Sequence, residues 1–529
     1  MRKKKVLTRE LDRRSFLRRT GVLAAFSLFD RNVLAHFHSG LMPKVVTPKR
    51  VTELDFDLHD IHKWDDSNGD TWDPFWADDD RLYSFNCDGR GFGKEPQNLA
   101  LNRFDGKSIA TLTGTQINPM TEYGPANQHG RDNATWKACG QESIDGVFYA
   151  FVSRNVYGDE SKDPLMRQTA FNSSLIKSFD RGITWSRSAE ENYAKPMWEG
   201  PRFGAPFFVH YGKNGGGVDQ DGAKDYSYAA STNGFWNDGD TLILGRVSRK
   251  LLPKLHAADW EYFTGGDGEE SKNWSKQIDL AIPILKAPAK CGQTPICYVP
   301  SLGIYLLISW YNSQTLTKWF DPTEMRYDFY QAEHPWGPWS LIRSISDKFL
   351  ASGSHMYGPA LCPRFQEENG SEVRLVMFTS GCQFEDVPDS IYKAWTIPVV
   401  LRTQALPPYE ELTADSPQVK WSGDWAKLPN PQNREGNLRV SSKPGDSLTV
   451  TFPGSRIEYV AHKSEGFGLV DVFLDGELEG RVNLALKHFP SLFGVSVFQR
   501  NGLSHRQHTL KLVNAGTDPI NMEKLRIYR

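Results

Sequence analysis

Ser178-Phe-Asp-Arg-Gly-Ile-Thr-Trp185 is the stretch whose reading decides the fold. A short carboxylate such as Asp180 folds back onto nearby backbone amides, and Gly182 accepts the left-handed backbone of a tight reversal. Trp185 is then placed to pack beneath the turn. The octet therefore reads as a hairpin that ends one strand and starts the next. Further along the chain in both directions the same grammar recurs, in Gly146-Val-Phe-Tyr-Ala-Phe-Val-Ser153, Gly303-Ile-Tyr-Leu-Leu-Ile-Ser-Trp310 and Val373-Arg-Leu-Val-Met-Phe-Thr379. Each is a short run of strand character bounded by Gly, Pro, Asp or Asn. Asp145-Gly146 reads as a hairpin turn, and Trp336-Gly-Pro-Trp339 as a later turn of similar purpose.

Units of this size cannot bury an apolar face alone, so radial stacking solves burial and edge exposure together. The expected fold class is all-β: a five-bladed β-propeller over residues 50–412, then a jelly-roll β-sandwich over 418–529. Five blades suit about 360 residues at roughly 40 to 50 residues per blade plus long loops. The octet resembles the Asp-box turn, Ser-x-Asp-x-Gly-x-Thr-Trp, of sialidases and many other propellers, a rim signature that does not locate chemistry. The pattern breaks at Ala414-Asp-Ser-Pro-Gln418, and alternating strands follow in Asp446–Phe452, Gly468–Gly476 and His508–Val513, with Leu474-Asp-Gly476 as a hairpin. This second part resembles the galactose-binding-like modules appended to glycan-active enzymes. The resemblance implies a module that either binds sugar or braces its neighbour.

Arg13-Arg-Ser-Phe-Leu17, followed by the apolar Gly21-Val-Leu-Ala-Ala-Phe-Ser-Leu-Phe29, reads as a twin-arginine export signal over residues 1–38. It implies a periplasmic or extracellular protein. No later stretch has the apolar length of a membrane-spanning helix. The 62 basic and 64 acidic side chains nearly balance, which leaves no long-range field for nucleic acid. With 16 Trp, 19 Tyr and 30 Phe beside 45 Gly and 31 Pro, the composition favours short strands and tight turns, and supplies rings on which sugars can stack. Six cysteines permit disulfides in an oxidising compartment: Cys291 with Cys297 around a small loop, and Cys362 with Cys382 between strands.

The richest polar cluster is Asn68-Gly-Asp-Thr-Trp72, Asp78-Asp-Asp80 and Leu82-Tyr-Ser-Phe-Asn-Cys-Asp-Gly-Arg-Gly91. Asp70 and Asp88 each sit beside glycine next to an apolar strand, positions from which both can face a central funnel. Two carboxylates can divide glycosidic cleavage, one protonating the leaving oxygen and the other attacking carbon or activating water. Turn-capping aspartates on a solvated rim are the ordinary alternative. Glu142, just before a strand, is the third acidic candidate. His129, Arg131, Arg154, Asn312, Arg326 and His355 are candidates for positioning substrate, and Trp236 for stacking on a sugar ring. No cofactor is required by the sequence; Asp65-Asp66 and Asp78-Asp-Asp80 are candidate calcium loops without a recognised spacing.

Gly69-Asp-Thr-Trp72, Cys87-Asp-Gly-Arg90, the strand Gly146–Ser153 and Ala332-Glu-His-Pro-Trp-Gly-Pro-Trp339 together resemble bacterial propellers of the DUF4185 type, which are related to endo-D-arabinanases. In that family two early aspartates act at the glycosidic bond, and Asp70 and Asp88 are the matching positions. Insertions around Tyr211–Asp240 and Asp259–Trp274 depart from the pattern and bear on arabinan specificity. The expected function is glycoside hydrolysis on a polysaccharide of the cell envelope or outside the cell. A lyase acting on a uronate-containing glycan, with His129 or Tyr157 as base, and a noncatalytic glycan-binding propeller are the alternatives. Sugar identity, cleavage mode and oligomeric state are not set by the sequence.

Overall fold

A computed structural model describes residues 47–158, 167–216, 220–293, 295–312, 325–346, 356–381, 391–429, 437–486 and 491–529. The export segment, His355 and Cys382 lie outside the described residues. The architecture is all-β, with several antiparallel sheets and, among the described residues, a single short α-helix at Ala189–Ala194.

The strands before Tyr409 fall into five successive antiparallel groups. The first is Phe75–Trp76, Leu82–Gly89, Gln97–Asp105 and Thr113–Asn118; the second is Thr135–Ile144, Val147–Val156 and Thr169–Ser178. The third begins with Pro206–His210 and Tyr226–Thr232, and the fourth with Ile296–Val299 and Ile304–Asn312. These two are fused into one ten-stranded sheet by a parallel pairing of Val209 with Ile296 and His210 with Cys297. The fifth runs Tyr357–Leu361, Glu372–Ser380 and Ala394–Arg402, and is completed by Glu53–Phe56 from the start of the chain.

Hydrophobic clusters join neighbouring groups. Phe75, Tyr83, Trp136 and Phe148 join the first group to the second, and Phe151, Phe208 and Trp260 join the second to the third. Tyr228, Leu244, Tyr298 and Tyr305 join the third to the fourth. Ile308 and Tyr327 meet Leu375 and Trp395 between fourth and fifth, and Trp72 and Phe104 meet Val376 and Phe378 between fifth and first. The first strand of four groups is therefore buried along most or all of its length: all ten residues of Thr135–Ile144 are buried, as expected for a strand covered on both faces.

Local signals hold where they are purely local. Ser178 Oγ donates to Asp180 Oδ1 at 2.7 Å, the Thr184 amide and hydroxyl donate to Asp180 at 2.9 and 2.6 Å, and the Trp185 indole donates to the Gly182 carbonyl at 3.1 Å. Trp185 packs 5.5 Å from Phe85, across to the first group. Asp145-Gly146 and Asp475-Gly476 both have positive φ at both residues, the backbone of a two-residue hairpin matched to strand twist.

After Tyr409 the strands form two further sheets and a small third one. The five-stranded sheet has the order Lys420–Ser422, Ser447–Pro453, Gln507–Asn514, Leu469–Leu474, Glu477–Asn483, and the four-stranded sheet Tyr409–Thr413, Lys524–Tyr528, Arg456–Lys463, Leu492–Arg500. Alternate residues of each face a shared core, with Val450, Leu512 and Val472 from one sheet against Tyr459, Val495 and Leu525 from the other. Tyr409–Thr413 precedes the turn-rich connector yet pairs with Lys524–Tyr528, so its partners lie wholly in the later strands. Cys291 and Cys297 are free thiols, which corrects the expected small-loop bridge; Cys297 sits in a strand paired on both sides, pointing into packed core. Cys362 is likewise free.

Candidate active site

Asp70 and Asp88 are brought together by backbone. Asp70 forms an isolated antiparallel bridge with Cys87, each amide donating to the other's carbonyl at 3.0 and 2.9 Å. Glycines at 69 and 89 permit this approach: a Cβ on Gly89 would lie 2.5 Å from the Gly69 Cα. Asp88 itself has φ of 46°, a left-handed conformation that aspartate adopts more readily than most residues with a Cβ.

Two further groups of strands contribute the surrounding side chains. Lys137, from the first strand of the second group, donates to Asp88 Oδ2 and lies within electrostatic reach of Asp70. Tyr157, just past the second strand of that group, places its hydroxyl 3.4 Å from Asp88 Oδ2, 3.4 Å from Lys137 Nζ and 2.9 Å from Asn127 Oδ1. From the fifth group, Tyr357 donates to Asp70 Oδ2, and the Tyr392 hydroxyl lies 3.0 Å from the same oxygen and 3.2 Å from the Asp88 carbonyl. Asp88 Oδ1 is buried and accepts no hydrogen bond among the described residues, a costly state unless another donor reaches it.

Burial dominates the electrostatics. It pushes the Asp70 carboxyl above its usual range, against the opposing pull of Lys137 and the tyrosine hydrogen bonds. It lowers the Lys137 ammonium, with Asp70 opposing, and raises the Tyr157 phenol to about 12. The site thus pairs a carboxyl biased toward its neutral form with a second carboxylate held against an ammonium.

Glu142 belongs to a different constellation. Its side chain is buried and accepts from His210 Nδ1 at 2.7 Å, while His210 Nε2 lies 3.0 Å from Asp73 Oδ1. Asp73, Glu142 and His210 come from the first strands, or the segment leading into them, of three successive groups. Burial alone would depress His210, but the charges of Asp73 and Glu142 outweigh it and hold the imidazole at about 10. Glu142 is raised by burial. With both oxygens engaged by His210 and the Ser143 amide, Glu142 is a structural partner of His210 and not a third member of the Asp70–Asp88 cluster.

Of the other predicted positions, His129, Arg131 and Arg154 line one groove of about 580 Å³. Arg154 is buried, clamped on Asp132 at 2.8 and 2.7 Å, and stacked 4.2 Å over Trp136. Arg131 is exposed and paired with Glu190 at 3.0 Å. Trp236, expected to offer a stacking face, is 4% exposed and packed in the core between the second and third groups, where the flanking Gly and Asn were no guide to burial. Arg326 lies on Met325–Ala332 opposite Tyr311, with no contact to the Asp70–Asp88 cluster among the described residues. Asn312 ends the strand Ile304–Asn312, and only its backbone is described. Asp78 and Asp79 share Arg181, Asp79 also pairs with Arg81, and Asp80 pairs with Lys213 and Arg364; among the described residues no group of acidic side chains is arranged to hold a metal ion.

Lys137, Tyr357, Tyr392, Asp73 and His210 were not singled out in the sequence. Two carried a usable signal: Lys137 interrupts the otherwise uncharged Thr135-Trp-Lys-Ala-Cys139, and His210 ends the apolar Pro206-Phe-Phe-Val-His210. A charge inside a strand buried on both faces requires a partner.

No protein-family model matches the chain. Over 107 residues it is 33% identical to the A type blood α-D-galactosamine galactosaminidase of Flavonifractor plautii, which covers 20% of this chain and 10% of that protein. Also over 107 residues it is 28% identical to the A type blood N-acetyl-α-D-galactosamine deacetylase of the same organism, covering 20% and 14%. The chain thus spans only about a tenth of the length of these relatives. Among solved structures, an exo-β-1,3-galactanase from Phanerochaete chrysosporium is 11% identical with a TM-score of 0.38, over 90% of this chain and 100% of that one. A CBM36-1 domain of a multidomain xylanase from the hindgut metagenome of Trinervitermes trinervoides is 16% identical with a TM-score of 0.18, over 23% and 98%. Both scores are low.

Proposed function

We propose that this chain is a glycoside hydrolase in which Asp70 and Asp88 cut a glycosidic bond at one end of a five-bladed β-propeller, with the later strands forming a jelly-roll accessory module. The cyclic order of the hydrophobic clusters and the completion of the fifth group by Glu53–Phe56 support the propeller. The observation that carries the function is the meeting of two carboxylates, one ammonium and three tyrosines drawn from three groups of strands.

Asp70, biased toward its neutral form by burial, supplies the proton to the leaving oxygen. Asp88, ion-paired with Lys137, supplies the carboxylate that attacks the anomeric carbon or takes a proton from water. Its free oxygen, Oδ1, is the acceptor left for substrate or water. Tyr157, with its phenol pushed up to about 12, stays protonated at neutral pH, which disfavours the lyase reading in which it abstracts a proton. The two Flavonifractor relatives are named for different reactions and each match spans only 107 residues, which fits an accessory role for the matched residues better than a catalytic one. The DUF4185-type resemblance and arabinan as substrate rest on the motifs alone.

The test is a polysaccharide panel read for both new reducing ends and unsaturated products absorbing in the ultraviolet. Asp88→Asn and Asp70→Asn are expected to abolish sugar release by the folded protein, and Asp88→Asn, which leaves the buried Lys137 without its ion-pair partner, also to cost about 3–5 kcal/mol of stability. Unchanged turnover in both variants removes the assignment, ultraviolet-absorbing products replace it with a lyase, and binding without products by the unmodified chain replaces it with a noncatalytic receptor.

A further inference from the structure

The groove beside the carboxylates has a charge pattern that bears on what it admits. Its wall runs from the loop Asn127–Asn133 to the helix Ala189–Ala194, and it borders the cluster through His129, whose ring lies 6.0 Å from that of Tyr157. Trp136 and Tyr193 form its aromatic floor. Arg154 stacks on both rings and Arg131 lies 5.3 Å over Tyr193.

Both arginines are already matched. Arg154 holds Asp132 through two hydrogen bonds, and Arg131 holds Glu190 across the rim. Glu122 also lines the groove and forms no ion pair among the described residues; burial raises its carboxyl. The fixed charge of the groove, His129 aside, is therefore two arginines against Asp132, Glu190 and Glu122. A uronate entering here meets no unpaired cation and one unpaired carboxylate. A sugar hydroxyl meets a strong, ionisable acceptor.

Resting on the hydrolase reading above, we infer that this groove holds the part of the glycan beyond the bond that is cut, and that it accepts uncharged sugar units while rejecting uronates. Glu122 is the specificity-determining residue, accepting hydroxyl hydrogen bonds from a neutral unit and repelling a carboxylate. The Arg131–Glu190 pair closes the rim. Cleavage then occurs within a chain that extends past Tyr157, so longer neutral substrates are turned over more efficiently than short ones.

The experiment is calorimetry on the full chain carrying Asp88→Asn, so that binding is read without turnover. The probes are neutral oligosaccharides from galactan, arabinan and xylan, and oligogalacturonides matched to them in length. At least one neutral series is expected to bind, with oligogalacturonides at least about tenfold weaker. Adding Glu122→Lys is expected to weaken neutral binding by about tenfold and strengthen oligogalacturonide binding, since an exposed residue is exchanged for one of opposite charge. Equal binding of both series, or neutral binding indifferent to Glu122→Lys, overturns the inference. Turnover of neutral glycans by the unmodified chain with no binding effect of Glu122→Lys sinks the groove assignment and leaves the hydrolase reading standing. Selective binding without any turnover does the reverse.

Discussion

His210→Gln should reduce an alkaline stability slope. His210 is enclosed by Asp73 and Glu142, with the Cys297 thiol in the first strand of the fourth group and the Cys362 thiol just past that of the fifth also buried nearby. Its pKa rises from 6.5 to about 10 on folding. A group whose folded value is raised contributes stability that is complete below the unfolded value and disappears as pH climbs through the folded one. The window is therefore pH 6.5 to about 10, and at about 1.36 kcal/mol per pH unit the linkage is of order 5 kcal/mol. Removing one partner of a buried ion pair costs about 3–5 kcal/mol, which gives the same size by a separate route. Glu142, raised by burial, titrates in the same direction. Urea unfolding followed by tryptophan fluorescence at steps across that window should show the unmodified chain losing stability with pH. His210→Gln should start lower by about 3–5 kcal/mol and fall less steeply between pH 6.5 and about 10, the remaining slope belonging to Glu142. Parallel pH dependence in the two proteins would refute the reasoning, because the slope would then belong to other groups.

Three more outcomes follow from named contacts. Tyr392→Phe removes a hydrogen bond to Asp70 that favours its ionised form, so the alkaline limb of the pH–rate profile should move upward by a fraction of a pH unit to about one unit; a downward shift contradicts Asp70 as the acid. Trp236→Ala should cost about 3–5 kcal/mol in chemical denaturation, with the oligosaccharide affinity of the folded fraction unchanged, as a core indole requires and a stacking platform forbids. Cys87, Cys139, Cys291, Cys297 and Cys362 should be unreactive to a thiol reagent in the native protein and all react in guanidinium without reductant, since each is buried and free with its thiol pushed up; protection in guanidinium would reveal a bridge.

Much of the all-β framework was legible because its determinants lie within a few residues of one another. Ser178, Asp180, Gly182 and Thr184 satisfy one another across a turn, and Asp145-Gly146 and Asp475-Gly476 impose hairpins by backbone preference alone. The alternation in Leu469–Leu474 and Gln507–Asn514 likewise announced strands with one buried face. Asp70 and Asp88 were visible as aspartates beside glycines, and the structure sets them side by side.

Burial and partnership were not legible in the same way. Trp236 and Glu142 lie in polar sequence that suggested exposure, yet one packs between two groups of strands and the other is bound to His210, 68 residues away. Tyr357 and Tyr392 reach Asp70 across 287 and 322 residues. What the sequence alone determined, then, is a chain of short strands and tight turns with aspartates at their ends, because turn geometry and strand periodicity are local properties of the backbone. Only the tertiary structure decided which charges share a low-dielectric interior, because that depends on which strands pack against one another, and no spacing along the chain encodes it.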